Sequence, residues 1–277
     1  MDVVSKKHLL KARLFIERNL NDHLDGDIIS EQAFRSYYRF HHKFKESTGE
    51  SLWQYVKRLR LEKACFLLRY TSIPISEIAF LTGFETTAAL SKAFSSRIGR
   101  SPIKYRNEFL AMSQKYQAPD YNWNDVKTTR QPDQKIYTFR SEGLRRFPEG
   151  YFKWQTLVGS IPENNVPLIG RSPDQVGITD TEKLRWDTSI PQSIMTEHLK
   201  SELPEQPLLF EDTLPGGRFL KVPFRGFGRP IADHLPVILG YLRDQGLEWR
   251  PSGRFFQIIR GHAERSRCIT DLYIPIL

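Results

Sequence analysis

The sequence predicts a multi-domain protein in which an all-α domain with a duplicated helix-turn-helix precedes an α+β domain. At 277 residues the chain is longer than a usual single domain, so two domains are expected. Apolar residues recur at helical spacing up to about residue 112, and beyond residue 135 they alternate as in strands. We therefore predict a first domain over residues 1–112, a linker over 113–134 and a second domain over 135–277.

The net charge is unevenly distributed between the two predicted domains. Residues 1–112 contain 19 Lys and Arg residues against 12 Asp and Glu residues, a net charge of +7. The remainder contains 22 basic against 20 acidic residues, a net charge of +2. A basic excess on the first domain is what a phosphate-binding surface requires.

Composition also limits the compartment and the cofactors. No apolar run is long enough to span a bilayer, and the N-terminus MDVVSKKHLL does not resemble a signal peptide. Cys65 and Cys268 are the only cysteines, and neither has a partner at metal-ligand spacing. We therefore expect a reduced cytoplasmic protein with no metal, no cofactor and no membrane contact.

The stretch from Ser72 to Arg106 predicts two helices joined by a tight turn at Gly83, where a left-handed backbone ends the first helix. The second helix buries Leu90 and Phe94. Its opposite face is short, polar and free of acids, and carries Thr87, Ala88, Ser91 and Lys92. Such a face can enter a major groove, although two ordinary amphipathic helices would show the same spacing.

The sequence IAFLTGFETTAALSKAF, followed by GRSPIKYR, resembles the second helix-turn-helix of AraC/XylS-type transcription regulators. In that family a Gly-Phe turn, a recognition helix ending in Phe and a G-x-S-P-x-x-[YF]-R tail occur together. The resemblance implies double-stranded promoter DNA as the partner. The positions it implies for DNA contact in this helix are Thr86, Thr87, Ala88, Ser91 and Lys92.

A first helix-turn-helix is predicted over residues 27–49, with the recognition helix SYYRFHHKFKEST buried through Phe40 and Phe44. It resembles the family sequence S-x-Y-H-F-H-R-L-F-K-x-x-T-G. The resemblance places base contacts at Tyr38, His41 and His42, phosphate or packing contacts at Arg39 and Lys45, and Tyr37 on the same helix. The chain departs from the family pattern at Gly26, Ser30, Phe34 and Lys43. His41 and His42 do not form a metal pair, because adjacent residues on a helix point about 100° apart.

One long helix is predicted to link the two units over residues 50–71. Ser51 and Gln54 have the spacing of a capping box, and Lys57, Arg58, Arg60 and Lys63 mark the expected exposed side. About twenty residues at 1.5 Å each span roughly 30 Å, close to one turn of B-DNA. A monomer could therefore place two recognition helices in successive major grooves.

The second domain repeats one order of elements twice. A strand over 135–147, a helix over 150–160 and strands over 166–171 and 184–190 are followed by a second set. That second set is a strand over 218–224, a helix over 230–245 and strands over 254–260 and 268–276. A strand-helix-strand-strand unit occurring twice predicts a pseudo-twofold (βαββ)2 domain.

This half resembles the GyrI-like effector domain through LRWDTSIP, FLKVPFRGFG and RFFQIIR with TDLYIPI. The resemblance implies a groove that binds a small molecule. Such domains commonly carry a Glu that attracts cations where this chain has Gln257, so a neutral or amphiphilic ligand is expected, with Asp187 at the rim. The candidate lining residues are Tyr137, Phe139, Trp154, Trp186, Asp187, Phe255, Gln257 and Tyr273. Each aromatic residue alone is equally compatible with a place in the core.

Together the resemblances imply a non-enzymatic transcription regulator, an activator, which contacts promoter DNA as a monomer and RNA polymerase as a second partner. The sequence has no G-x-S-x-G, no H-E-x-x-H and no glycine-rich phosphate loop. Two alternatives remain for the second domain. It could hydrolyse small electrophiles, as some GyrI-like relatives do, or it could be a ligand-free structural or protein-interaction module.

Overall fold

The computed structural model describes residues 3–33, 36–115, 123–143, 149–157, 166–174, 178–195, 197–203, 206–225, 231–260 and 269–277. Phe34 and Cys268, which the sequence analysis singled out, lie outside these ranges. The chain divides into two compact units, Met1–Leu110 with Glu205–Leu208, and Ala111–Pro204 with Leu209–Leu277. Among the helices within these ranges, none is both long and apolar enough to cross a membrane.

The first unit is helical, as the periodicity predicts. Its helices are α1 (Val3–Arg18), α2 (Gly26–Glu31), α3 (Tyr37–Thr48), α4 (Leu52–Tyr70), α5 (Ile75–Leu81), α6 (Thr87–Ile98) and α7 (Pro102–Lys115), the last of which continues into the second unit. Two helix-turn-helix pairs result, α2 with α3 and α5 with α6. The linking helix α4 packs against α3, α5 and α6.

Local sequence explains where these helices begin and end. Ser51 and Gln54 form the predicted capping box at the start of α4. The hydroxyl of Thr86 accepts a hydrogen bond from the Ala89 backbone N–H and so begins α6. Both recognition helices end at a left-handed glycine, Gly49 with φ 72° and Gly99 with φ 77°.

Helices α1, α2, α3 and α4 share one apolar core. Phe40 and Phe44 of α3 are fully buried in it, and Phe44 meets Tyr55 of α4 edge to face with ring centroids 5.2 Å apart. Leu90 and Phe94 of α6 are likewise fully buried. Burial of these two pairs fixes which face of each recognition helix remains exposed.

The second unit contains one antiparallel sheet. Its strands are β1 (Lys127–Gln131), β2 (Gln134–Glu142), β3 (Leu168–Arg171), β4 (Arg185–Pro191), β5 (Leu209–Leu214), β6 (Gly217–Arg225), β7 (Phe256–Arg260) and β8 (Ile269–Ile276). The helices are α8 (Glu149–Leu157), α9 (Glu197–Glu202) and α10 (Ile231–Asp244). The strand order is β1-β6-β8-β7-β3-β4-β2-β5.

This order is symmetric about its centre. If β1 is exchanged with β5, β2 with β6, β3 with β7 and β4 with β8, the same order results, read from the opposite edge. The central pair is β3 and β7, with Gly170 opposite Gln257. Each edge strand pairs with a strand from the other half of the sequence: β1 pairs with β6, and β5 pairs with β2. The predicted linker 113–134 is therefore not only a connection, because β1 lies within it.

Alternating side chains give the sheet two faces. On one face Phe139 packs against Trp154 of α8, whose indole N–H donates to the Thr188 carbonyl at 2.7 Å. The opposite face carries a second apolar cluster that includes Ile136 and Phe256. Two predicted ligand residues can contact the same ligand only if their side chains lie on the same face of the sheet.

Candidate functional site

The exposed face of α3 carries four of the predicted DNA contacts. Tyr38 is 80% exposed, and Arg39, His42 and Lys45 are exposed as well. The buried Phe40 and Phe44 hold the helix from behind. This face can therefore present an aromatic ring, an imidazole and two cations to a groove.

Tyr37, which is 42% exposed, and the half-buried His41 pack partly against the protein. The Tyr37 ring lies over Gly26, where an added Cβ would come within 2.7 Å of Tyr37 Cε2. His41 is half-buried with its ring centroid 4.2 Å from that of Tyr37. Gly26, a departure from the family pattern, thus makes room for an aromatic ring.

Partial burial lowers the pKa of His41 below its ordinary value, because desolvation disfavours the imidazolium. Its Nε2 is buried and has no hydrogen-bond partner in the described part of the chain. His41 is therefore poorly suited to donate as a cation to a guanine. The sequence analysis did not separate it from the exposed His42.

The exposed face of α6 has a different chemistry. Thr87, Ala88 and Lys92 are exposed and Ser91 is half-buried, whereas the Thr86 hydroxyl is engaged in capping. Ala89 is also exposed and was missing from the predicted contacts. The first two turns of α6 therefore present mainly methyl groups and the long cationic side chain of Lys92; exposed polar residues follow at 95–97.

The 19 residues of α4, at 1.5 Å per residue, place its ends about 28 Å apart. This length agrees with the spacing predicted between the two helix-turn-helix units. The same helix contains a residue that the sequence analysis placed wrongly.

Arg58 was predicted to lie on the exposed side of α4, but it is only 5% exposed. Its guanidinium forms ion pairs with Glu50 at 2.6 Å and with Glu62 at 3.1 Å. It also lies 5.0 Å from the centroid of the Tyr55 ring. Glu50 directly follows Gly49, the end of α3, so Arg58 fastens the end of one recognition helix to α4.

Two further arginines bind backbone carbonyls rather than solvent. Arg60, also predicted as exposed, is partly buried and donates to the Leu20 carbonyl at 3.0 Å and to the Asp22 carbonyl at 2.9 Å. Arg106 donates to the Ile73 carbonyl at 2.6 Å. Part of the basic excess of the first domain is therefore structural.

In the second unit, Gln257 and Trp186 meet over Gly170. A Cβ at Gly170 would lie 2.9 Å from Gln257 Nε2 and 3.0 Å from Trp186 Cζ2. Gln257 is 5% exposed. The glycine therefore leaves the space in which the amide and the indole lie together.

Other predicted ligand residues are not part of this group. Strand pairing places Tyr137 and Phe139 on the Gln257 face, but Phe139 and Trp154 are 1% and 0% exposed and belong to the core. Phe255 is buried against Trp249. Tyr273 lies on the opposite face and stacks on Phe256 with centroids 4.7 Å apart.

Asp187 was predicted at the rim of the pocket, and the structure places it elsewhere. It is 2% exposed on the face opposite Gln257, where it accepts hydrogen bonds from Arg140 at 2.9 and 3.1 Å. Asp271 occupies the corresponding strand of the second half and pairs with Lys221 at 2.9 Å and with Arg260. Both carboxylates thus have cationic partners, and neither supplies a free charge to Gln257.

Comparison with known proteins gives matches to regulators. A family model described as a helix-turn-helix domain matches residues 29–108. Transcriptional regulator Rob of Salmonella typhimurium strain LT2 is 22% identical over 247 residues, which cover 82% of this chain and 81% of Rob. HTH-type transcriptional activator RhaR of Pectobacterium carotovorum strain PC1 is 39% identical over 95 residues, 31% of this chain and 34% of RhaR.

Solved structures include a regulator with an AraC-type DNA-binding domain from Chromobacterium violaceum. It is 26% identical, covers 39% of this chain and 96% of its own, and has a TM-score of 0.36. The family match spans α3 to α6, which contain both recognition helices. The chain therefore carries an AraC-type helix-turn-helix domain and is a relative of the transcription regulators Rob and RhaR.

Proposed function

We propose that this protein is a sequence-specific transcription regulator that docks α3 and α6 in adjacent major grooves of promoter DNA. The observation that carries the proposal is the pair of exposed recognition faces on either side of α4. That helix is about 28 Å long, near the roughly 34 Å repeat of B-DNA. One chain contains both recognition helices, so it binds as a monomer.

The regulator acts as an activator and contacts RNA polymerase, and it works in the cytoplasm, where promoter DNA is found. Support for activation comes from RhaR, which is described as a transcriptional activator and matches the DNA-binding part of this chain. A protein with one DNA-binding unit and one further unit has a separate surface available for a second partner.

The test begins with duplexes that the full-length protein selects from random DNA. A preferred site of about 20 base pairs, two turns of the helix, is expected, bound by one chain. Affinity should fall as salt rises, because phosphate contacts release counterions. Analytical ultracentrifugation that shows two chains on the minimal site would contradict the monomer, and selection of no preferred sequence would contradict the function.

Substitutions on α3 separate base contacts from phosphate contacts. Tyr38→Ala should cost about 1–3 kcal/mol on the preferred site and relax one position of it. Lys45→Ala should weaken all sequences alike and reduce the salt slope by about one. Identical site preferences for Tyr38→Ala and the unmodified protein would remove Tyr38 from the set of base contacts.

The second unit we assign to the GyrI-like effector domains, as a sensor of a neutral or amphiphilic small molecule. Two observations support the assignment: the strand order is symmetric between the two halves of the unit, and the buried Gln257 amide lies beside Trp186. An amide in this position offers a donor and an acceptor without the charge that would select cations.

Fluorescence titration of the full-length protein with matched neutral and cationic aromatic compounds tests this assignment. Neutral compounds should bind better, and Gln257→Glu should shift the preference toward cations. Tight, selective binding of cations by the unmodified protein would contradict the role given to Gln257. Turnover of the probe would favour a hydrolase, and the absence of any binding would favour a structural module.

A further inference from the structure

The first turns of α6 present methyl groups to solvent. Thr87 carries a methyl on its Cβ, and the side chains of Ala88 and Ala89 are methyl groups. All three residues are exposed. Thr86 precedes them and its hydroxyl accepts the Ala89 N–H at 3.1 Å, so this turn has a fixed conformation.

The two recognition helices therefore differ in what they can recognise. The α3 face offers Tyr38, Arg39 and His42, whose side chains carry hydrogen-bonding groups. An alanine can neither donate nor accept from its side chain. Among residues 87–92 of α6, long-range polar contact is left to Lys92 and short-range polar contact to the hydroxyls of Thr87 and the half-buried Ser91; the exposed Ser95, Ser96 and Arg97 lie farther along the helix.

In the major groove the one apolar group on a base edge is the C5 methyl of thymine. N-terminal residues of a recognition helix are those that reach base edges, and here they are Thr87, Ala88 and Ala89. We infer that α6 recognises thymine methyl groups, and that its half of the site is specified mainly by methyl contact. This inference rests on the proposed DNA binding and names the base chemistry that the second helix recognises.

The alternative is that the side chains at the start of α6 are short only so that the helix can approach the phosphates closely. In that case α6 would position the protein, and its half of the site would show no dependence on methyl groups. The two cases predict different responses to removal of single methyl groups from the DNA.

The probe is the preferred duplex selected by the full-length protein, with each thymidine replaced singly by deoxyuridine. This replacement removes one methyl and leaves base pairing unchanged. In the half contacted by α6, at least one replacement should weaken binding about fourfold, the effect of one buried methyl group. At that position 5-methylcytosine should bind more tightly than cytosine, because it restores a methyl at the same place in the groove.

Variants then connect the methyl to α6. Thr87→Ser keeps the hydroxyl and removes the methyl, and Ala88→Gly and Ala89→Gly each remove a methyl side chain. In at least one of them the affinity ratio between thymine and uracil should approach one at a sensitive position. Because the ratio compares two duplexes on the same variant, a change in helix stability cancels. His42→Ala on α3 is the control: it should lower affinity and leave these ratios unchanged.

The outcomes are distinguishable. If a preferred site exists but uracil replacement is neutral at every position, α6 does not recognise methyl groups and the inference fails while DNA binding stands. If uracil matters but the ratio persists in all three α6 variants, the contact belongs to another element and the inference also fails. If no preferred site exists, the proposed function itself fails.

Discussion

Arg58→Ala should destabilise the helical unit more than any single change on the DNA-facing surface. The guanidinium donates to Glu50 through Nε and Nη2, at 2.9 and 2.6 Å, and to Glu62 through Nη1 at 3.1 Å. The two carboxylates are 8% and 5% exposed. Removal of the arginine leaves them buried without this cation.

The expected cost is about 3–5 kcal/mol, the usual cost of removing one partner from a buried ion pair. A domain's whole stability is about 5–15 kcal/mol, so this loss is a large part of it. For a unit of about 110 residues, an unfolding entropy of about 2.1 cal/mol/K per residue converts 4 kcal/mol into a fall of roughly 15–20 °C in Tm.

Thermal and urea unfolding of the full-length protein, followed by circular dichroism at the helical band, measures the effect. Lys57→Ala is the matched control, because Lys57 precedes Arg58 on α4 and is exposed. The triple variant Arg58→Met, Glu50→Gln and Glu62→Gln should recover much of the loss, since it removes the buried charges together. Equal Tm values for Arg58→Ala and Lys57→Ala would refute the structural role of the pair.

Two further predictions concern α3. Gly26→Ala should push the Tyr37 ring aside, since its Cβ would lie 2.7 Å from Tyr37 Cε2; the cost should stay at about 1 kcal/mol or less, because Tyr37 is 42% exposed and its ring can rotate away. Tyr37→Ala should remove that cost in the double variant, and Gly240→Ala, with no atom within 4 Å, is the control. The lowered pKa of His41 means that the unfolded chain takes up its proton first as pH falls below about 6.5, so stability should decline there. Urea unfolding at pH 7.5 and 5.5 should show a smaller decline in His41→Asn, and an unchanged decline would contradict the assignment.

Local sequence signals predicted the elements that carry the proposed DNA contacts. The capping box at Ser51, the periodic burial of Phe40 with Phe44 and of Leu90 with Phe94, and the left-handed Gly83 all appear in the structure. Each of these features depends on residues within a few positions of one another. Short-range patterns suffice for them because helices are made of short-range contacts.

The features that were missed depend on distant residues. Asp187 lies next to Arg140, which is 47 positions earlier, and its face on the sheet follows from strand pairing. Strand β1 has the sequence KTTRQ and lies at an edge of the sheet, where polar residues are usual and apolar alternation is absent. A periodicity search therefore assigned this segment to a linker.

Positive charge on the first unit has two physical roles that composition cannot separate. Arg58 and Arg60 lie on α4 one turn or less from the exposed Lys57, yet one binds two carboxylates and the other binds backbone carbonyls. A planar guanidinium group donates to several acceptors in fixed directions, whereas the donors of a lysine ammonium group rotate freely. Cations left for phosphates are those on exposed recognition faces, such as Arg39, Lys45 and Lys92. Arg58 holds α4 to the end of α3, and Arg60 holds α4 to the segment between α1 and α2. The exposed cations can therefore contact phosphates from fixed positions.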